Sequence, residues 1–154
     1  MSSCDERAER ISAAARDRHL SVATAESLTG GRISTVLGAA PSSSEWYRGG
    51  IVAYASSVKH VLLQVPDGPV VSEPSARAMA TTVAGLLGAD LAVAVTGVGG
   101  PQSQDGQPPG TVWFGVFAGG DTRTEVRHFD GDPGVMVEST TDHALFLLEH
   151  ALQR

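Results

Sequence analysis

Thr24-Ala25-Glu26-Ser27-Leu28-Thr29-Gly30-Gly31 sets a serine hydroxyl between a short apolar run and a glycine-opened helix, the kind of corner at which hydrolases expose a nucleophile. Further along, Tyr54-Ala55-Ser56-Ser57-Val58-Lys59 brings a phenol and an amine to a second corner of the same kind. A serine needs a base to become a nucleophile, and a lysine serves once it is neutral. Burial and the positive end of a helix both disfavour the ammonium form, and Lys59 falls in the first turn of an expected helix. Ser27, Lys59 and Tyr54 are therefore the candidate catalytic groups, and amide hydrolysis by a Ser/Lys pair is the chemistry they suggest.

Each residue also has a plainer reading. Ser27 is placed to cap a helix, Glu26 to accept hydrogen bonds that fix the fold, Lys59 to sit solvated on a helix, and Tyr54 to close the edge of a core. In the hydrolytic reading the amides of Thr29, Gly30 and Gly31 hold a developing oxyanion, and glycine lets a substrate approach closely. Arg32 and Arg48 are the nearest cations in sequence.

Other chemistries lose their signatures. Gly97-Val98-Gly99 runs into Gly100-Pro101 without the third spaced glycine of a dinucleotide fingerprint, and no Gly-x4-Gly-Lys phosphate loop occurs. His19, His60, His128, His143 and His150 show no ligand spacing, and Cys4 has no second cysteine to pair with. No metal or cofactor is called for. Ala25 and Thr29 stand where a hydrolase elbow has glycines, which disfavours that family. Ser56-Ser57-Val58-Lys59 matches the Ser-x-x-Lys of penicillin-recognising enzymes, but the companion Ser-Asp-Asn and Lys-Thr-Gly are missing. Ser56 is read instead as a helix cap.

The positioning elements follow from periodicity and punctuation. Ser3 with Glu6 opens a helix that runs to about His19, and Leu20 to Ala25 is a buried strand ending at the Glu26-Ser27 corner. Gly31 to Leu37 is a helix, 40–44 a loop, Gly50 to Tyr54 a second buried strand, and Ser56 to Leu62 the helix carrying Lys59. Ser72 caps an amphipathic helix whose first turn holds Pro74 and whose end is Gly88. Leu91 to Val95 is a continuous apolar run, expected of a central strand covered on both faces, and leads into the loop Thr96, Gly97, Val98, Gly99, Gly100. Thr111 to Ala118 and Thr122 to Phe129 form a hairpin about Gly119-Gly120-Asp121, and Met136 to Leu152 is a terminal helix. The order predicts one α/β domain, a three-layer α/β/α sandwich with a mixed central sheet, its ligand at the strand ends.

The chain has 154 residues, one domain's worth, and a formal net charge of -6, which offers no basic field for nucleic acid. No apolar run is long enough to span a bilayer and the first residues lack a signal-peptide core, so a cytoplasmic protein without membrane contact is expected. Cys4 reads as an incidental thiol in a mobile N-terminus. Edge strands and an apolar terminal helix are compatible with a homo-oligomer.

In order, Thr24 to Gly31, Tyr54 with Lys59, Val71-Ser72-Glu73 with Met79-Ala80, Thr96 to Pro101 and Pro109-Gly110-Thr111-Val112 resemble the C-terminal domain of the CinA family over nearly the whole chain. That resemblance implies a nicotinamide-nucleotide amidohydrolase: nicotinamide mononucleotide to nicotinic acid mononucleotide and ammonia, in pyridine nucleotide salvage. It implies serine with lysine and tyrosine, and no metal. It makes Glu26, Thr29, Gly30, Gly31, Thr96, Gly97, Val98, Gly99 and Gly100 the expected substrate-binding positions and a small-molecule nucleotide the expected partner. Some members are fused behind a molybdopterin-binding-like domain, which these residues do not contain. Leu28 replaces the family's usual cysteine and Gly99 its usual alanine. Gly131-Asp132-Pro133 and Met136-Val137 lack two arginines that the family places there. Loss of one charge-assisted bond to a phosphate would weaken binding by ~1.5–3 kcal/mol. A silent, nucleotide- or partner-binding member and a hydrolase centred on Ser56 are the alternative readings.

Overall fold

The computed structural model describes residues 2–154. Five strands, β1 (Val22–Glu26), β2 (Tyr47–Val52), β3 (Leu91–Gly97), β4 (Thr111–Ala118) and β5 (Asp121–His128), form one sheet in the order β2-β1-β3-β4-β5. β1 runs parallel to β2 and β3, while β3, β4 and β5 alternate antiparallel, so the sheet is mixed. Helices α1 (Ser3–Arg18), α2 (Arg32–Gly38) and α5 (Pro133–Leu152) cover one face, and α3 (Ser56–Leu62) and α4 (Glu73–Leu87) belong to the other side. The expected three-layer α/β/α fold is the one observed.

Residue parity along the strands explains the two layers. Leu91, Val93 and Val95 of β3 point into the core built with Ile11, Leu37, Leu145 and Leu148. Ala92 and Ala94, with Ala23 and Ala25 of β1, face Met79, Ala80 and Val83 of α4. Small side chains on that face let α4 settle close to the sheet. At Gly115 a Cβ would lie 2.4 Å from the Ala76 carbonyl oxygen, so only glycine fits there. Ion pairs from Arg7 to Asp142 and Glu149, and from Arg10 to Glu149, tie α1 to α5.

Several boundaries move. The first helix is capped by Ser2 with Asp5 in a reciprocal capping box, one residue earlier than the Ser3–Glu6 reading. Ala55, not Ser56, is the N-cap of α3; Ser56 is already helical and makes no side-chain cap. β2 begins at Tyr47 and is an edge strand whose residues alternate between half-buried and exposed, not a buried one. Within the expected 40–44 loop a single 3-10 turn, Ser43–Glu45, begins. Cys4 is buried in the α1–α5 layer, not loose at a terminus, and burial pushes its thiol pKa up. Ser72 does cap α4, accepting from the Ser75 amide, and Gly88 ends it in the left-handed conformation.

Candidate active site

The β1–α2 corner is built around a carboxylate. Parity turns Glu26 toward the α2 side of the sheet, beneath the N-terminus of that helix. There one oxygen accepts from the Thr29 hydroxyl (2.6 Å) and the Gly31 and Ile33 amides (3.2 and 2.9 Å). The other accepts from the Ser34 amide (2.8 Å) and hydroxyl (2.6 Å). Glu26 is fully buried. It therefore caps α2 from the strand, and its carboxylate, expected among the substrate-binding groups, is enclosed by these donors. Thr29, spent on Glu26, is likewise part of the frame.

Ser27 follows directly and is 5% exposed. Gly30 and Gly31, at φ +57° and +105°, carry the chain from the serine into α2 through a conformation that side chains disfavour. Their amides are occupied, Gly30 by the Ser27 carbonyl and Gly31 by Glu26. Among the described residues, only the Thr29 amide of the expected oxyanion donors is left without a partner, and the Leu28 amide beside it is equally free.

The second corner leaves the sheet beside the first. Glu26 pairs with Val52 across the β1–β2 ladder, and the Ala53 amide donates to the Glu26 carbonyl at 2.8 Å. Lys59 is the buried residue of α3, 3% exposed, and its Nζ donates to the Tyr54 carbonyl at 3.1 Å. Burial lowers its pKa from the ordinary 10.5, with Asp105 pulling the other way. Tyr54 meets Lys59 through its backbone; its own side chain is 70% exposed. Ser56 is exposed at the start of the helix.

Lys59 is also the chain's only lysine, the other ten cationic residues being arginines. Arginine keeps its proton under all ordinary conditions, whereas a lysine can be neutralised by burial. This contrast was available in the composition and is the signal that most sharply singles out Lys59.

The third strand end supplies the glycine-rich loop. Thr96 is fully buried and gives its hydroxyl to the Val70 carbonyl at 2.6 Å. The Val98 amide donates to the Thr111 carbonyl at 2.9 Å. Thr96, Gly97 and Val98 thus build the loop, and only Gly99 and Gly100 line a cavity of ≈ 460 Å³ with Pro109, Phe129, Pro133 and Met136. Gly99 packs on the serine corner, where a Cβ would lie 3.4 Å from that of Leu28. Asp130 and Asp132 also border the cavity and no lysine or arginine does. Arg32 pairs with Glu138 (2.9 Å) and Arg48 donates to the Leu87 carbonyl (2.9 Å). A larger hollow, ≈ 700 Å³, opens around Arg18, Asp90 and the β4–β5 turn, at the other end of β3 from these loops.

Among the described residues no helix is long and apolar enough to cross a membrane. Residues 5–152 match the family model of the CinA C-terminal domain. A Lactiplantibacillus plantarum protein described as competence-damage inducible is 38% identical over 139 residues, covering 86% of this chain and 33% of that protein. Protein YdeJ of Escherichia coli is 40% identical over 119 residues, 73% of this chain and 69% of its own length. The crystal structure of a competence-damaged protein (CinA) superfamily protein from Klebsiella pneumoniae superposes with a TM-score of 0.93 at 32% identity, covering 99% of both chains. The chain spans about a third of the length of most of the curated relatives it matches.

Proposed function

The chain belongs to the CinA C-terminal domain family, and from that premise we propose that it hydrolyses the carboxamide of a pyridine nucleotide, nicotinamide mononucleotide first, by a Ser27/Lys59 mechanism. The observation that carries the reading is the single lysine of the chain, buried on α3, the helix that follows the strand paired with the serine corner's β1, and depressed in pKa by that burial. Nothing in the packing of the fold requires an amine there, since an apolar residue would fill the space without the cost of desolvating a charge.

In the proposed cycle neutral Lys59 takes the Ser27 proton as Oγ attacks the amide carbon. The free Leu28 and Thr29 amides receive the oxyanion, and the ammonium returns the proton to the departing nitrogen, releasing ammonia. Lys59 then deprotonates a water that opens the acyl-enzyme to give the carboxylate and restore the serine. The Tyr54 carbonyl orients the amine, and the residue's exposed phenol can meet the substrate. Gly99 and Gly100 allow the pyridine nucleotide close to the corner.

Ammonia release from nicotinamide mononucleotide is the test. Ser27→Ala is expected to reduce kcat by at least about 10³-fold, the scale set by loss of a nucleophile in a concerted unit. Turnover equal to that of the unaltered protein in Ser27→Ala ends the mechanism. A second reading, a silent member that binds a partner or a nucleotide without turnover, is motivated by the cavity bordered by Asp130 and Asp132, which gives a substrate phosphate no cation to pair with. Calorimetry showing tight nucleotide binding with no ammonia released selects it. The exposed apolar group Val52, Tyr54, Val58, Val61 and Leu62 beside the site is where we place the contact of a homo-oligomer in the cytoplasm. A monomer by sedimentation removes that part.

A further inference from the structure

The loop between β3 and β4 reaches back to the connection between α3 and α4. Asp105, held at φ +53°, accepts with Oδ2 from the Val70 and Val71 amides at 2.9 and 3.0 Å. Thr96, at the end of β3, donates to the Val70 carbonyl. Val70 and Val71 are buried, though the segment 64–72 holds no helix or strand. One carboxylate oxygen and one hydroxyl therefore satisfy three backbone groups of a connection that cannot satisfy them itself, which is what fixes an irregular buried segment. The other oxygen of Asp105, Oδ1, has no partner among the described residues.

The connection so fixed follows the helix that carries Lys59. The charged groups around that amine can be taken in turn. Glu26, at the neighbouring corner, is enclosed by its five donors. His60, next on α3, turns Nδ1 to the Val65 carbonyl at 3.0 Å. Asp67, in the α3–α4 connection, is exposed. Asp105 favours the ammonium form, and it does so without an ion-pair contact, since no carboxylate lies within 4 Å of Nζ among the described residues. A charge at that range biases the amine without locking it as ammonium.

We propose that Asp105 is a positioning residue for Lys59: Oδ2 latches the β3–β4 loop to the α3–α4 connection and so holds a carboxylate beside the connection that follows the amine's helix. This rests on Lys59 as the base of the reaction proposed above. There the lysine must gain a proton from Ser27, hold it while the tetrahedral intermediate lives, and give it to the leaving nitrogen. Asp105 steadies the ammonium during that interval. Burial alone makes a base that is free of its proton but weak in taking one, and the distant carboxylate offsets that weakness.

The chain's single lysine makes the test direct, because ¹⁵N-lysine labelling yields one Nζ resonance whose titration needs no assignment. The titration is run on the unaltered protein, Asp105→Asn and Asp105→Glu, with the pH profile of kcat/KM beside it. Asp105→Asn keeps an acceptor for the two amides and loses the charge. Its Lys59 midpoint should fall by about half a unit or more, roughly a threefold change in the proton's binding constant, and the acid limb of the profile should fall with it. Asp105→Glu should restore most of both. A Lys59 midpoint in folded Asp105→Asn equal to that of the unaltered protein overturns the proposal. Asp105→Ser, a differently shaped uncharged acceptor, must give the same downward shift and decides the matter if the asparagine variant does not fold. If no variant and no unaltered protein hydrolyses any carboxamide, the functional reading fails while the resonance still decides the role of Asp105.

Discussion

Two buried ionisable side chains sit at neighbouring corners of one sheet edge, and they are treated in opposite ways. Glu26 has five donors on its two oxygens, three of them backbone amides at the start of α2. Lys59, also buried, has a single carbonyl. The first arrangement resembles a helix cap moved onto a strand, and every member of it is satisfied, as stable buried polar groups are. The second leaves three N–H donors to share one acceptor, so the ammonium form is poorly supported. A frame is built from matched groups and a reactive centre from an unmatched one. The contrast separates residues that hold the corner from the residue that can do chemistry.

The largest expected effect comes from breaking the matched corner. Glu26→Ala removes the acceptor of the Gly31, Ile33 and Ser34 amides and of the Thr29 hydroxyl, while the Ser34 hydroxyl keeps Thr24. Each unsatisfied buried group costs about 1–3 kcal/mol, though relaxation lets some find new partners. A loss of stability on the order of 4 kcal/mol is expected in urea unfolding, with Ser27 displaced as a consequence. A loss below about 1 kcal/mol would mean that Glu26 does not hold the corner, and the contrast with Lys59 would collapse.

The frame also shows what could be read in advance. The unbroken apolar run of β3, the Gly119-Gly120 hairpin, and the Ser72–Pro74 start of α4 are local signals, and each lies where the residues place it. Ser2–Asp5 and Ser3–Glu6 are overlapping capping boxes, and only the path of the preceding backbone selects the first. Glu26 was ambiguous because two of its donors, Ile33 and Ser34, lie seven and eight residues ahead, across a turn whose shape depends on Gly30 and Gly31. β2 reads as buried by composition, but its place at the sheet edge is a matter of topology. The Asp105 latch spans 35 and 34 residues to Val70 and Val71 and carries no local signal at all.

A test of the unmatched corner has the opposite sign. Lys59→Met removes the amine while keeping a flexible apolar arm, so hydrolysis should be lost while the fold becomes more stable at pH 7. The sign follows from linkage. The pKa of Lys59 is lowered in the folded state, so the unfolded chain binds more protons, and the lysine costs stability at neutral pH. Its cost is absent above the unfolded value near 10.5, grows as pH falls, and is constant below the folded value. The Tm advantage of Lys59→Met should therefore vanish toward pH 11 and widen toward neutrality, by about 2–4 °C for each kcal/mol recovered. An advantage that does not change with pH would place Lys59 in the matched class with Glu26.

The smallest effect probes where the glycine loop touches the serine corner. Gly97 ends β3 and Gly99 follows it in the loop, neither at positive φ, yet they face different neighbours. At Gly97 a Cβ would lie 2.8 Å from both the Thr111 carbonyl oxygen and a Val112 methyl, so backbone must move; at Gly99 it would rest 3.4 Å from Leu28 Cβ, an ordinary contact. Gly99→Ala should therefore stabilise by about 0.4–1 kcal/mol through a less flexible unfolded chain, and Gly97→Ala should destabilise. Since Gly99 meets the corner through Leu28, a site held rigidly by Glu26 should accept the new methyl without moving Ser27, leaving kcat within about twofold and any change in KM. If Gly99→Ala instead destabilises as Gly97→Ala does, Leu28 cannot yield. The serine corner would then be framed from the loop side as firmly as from the helix side.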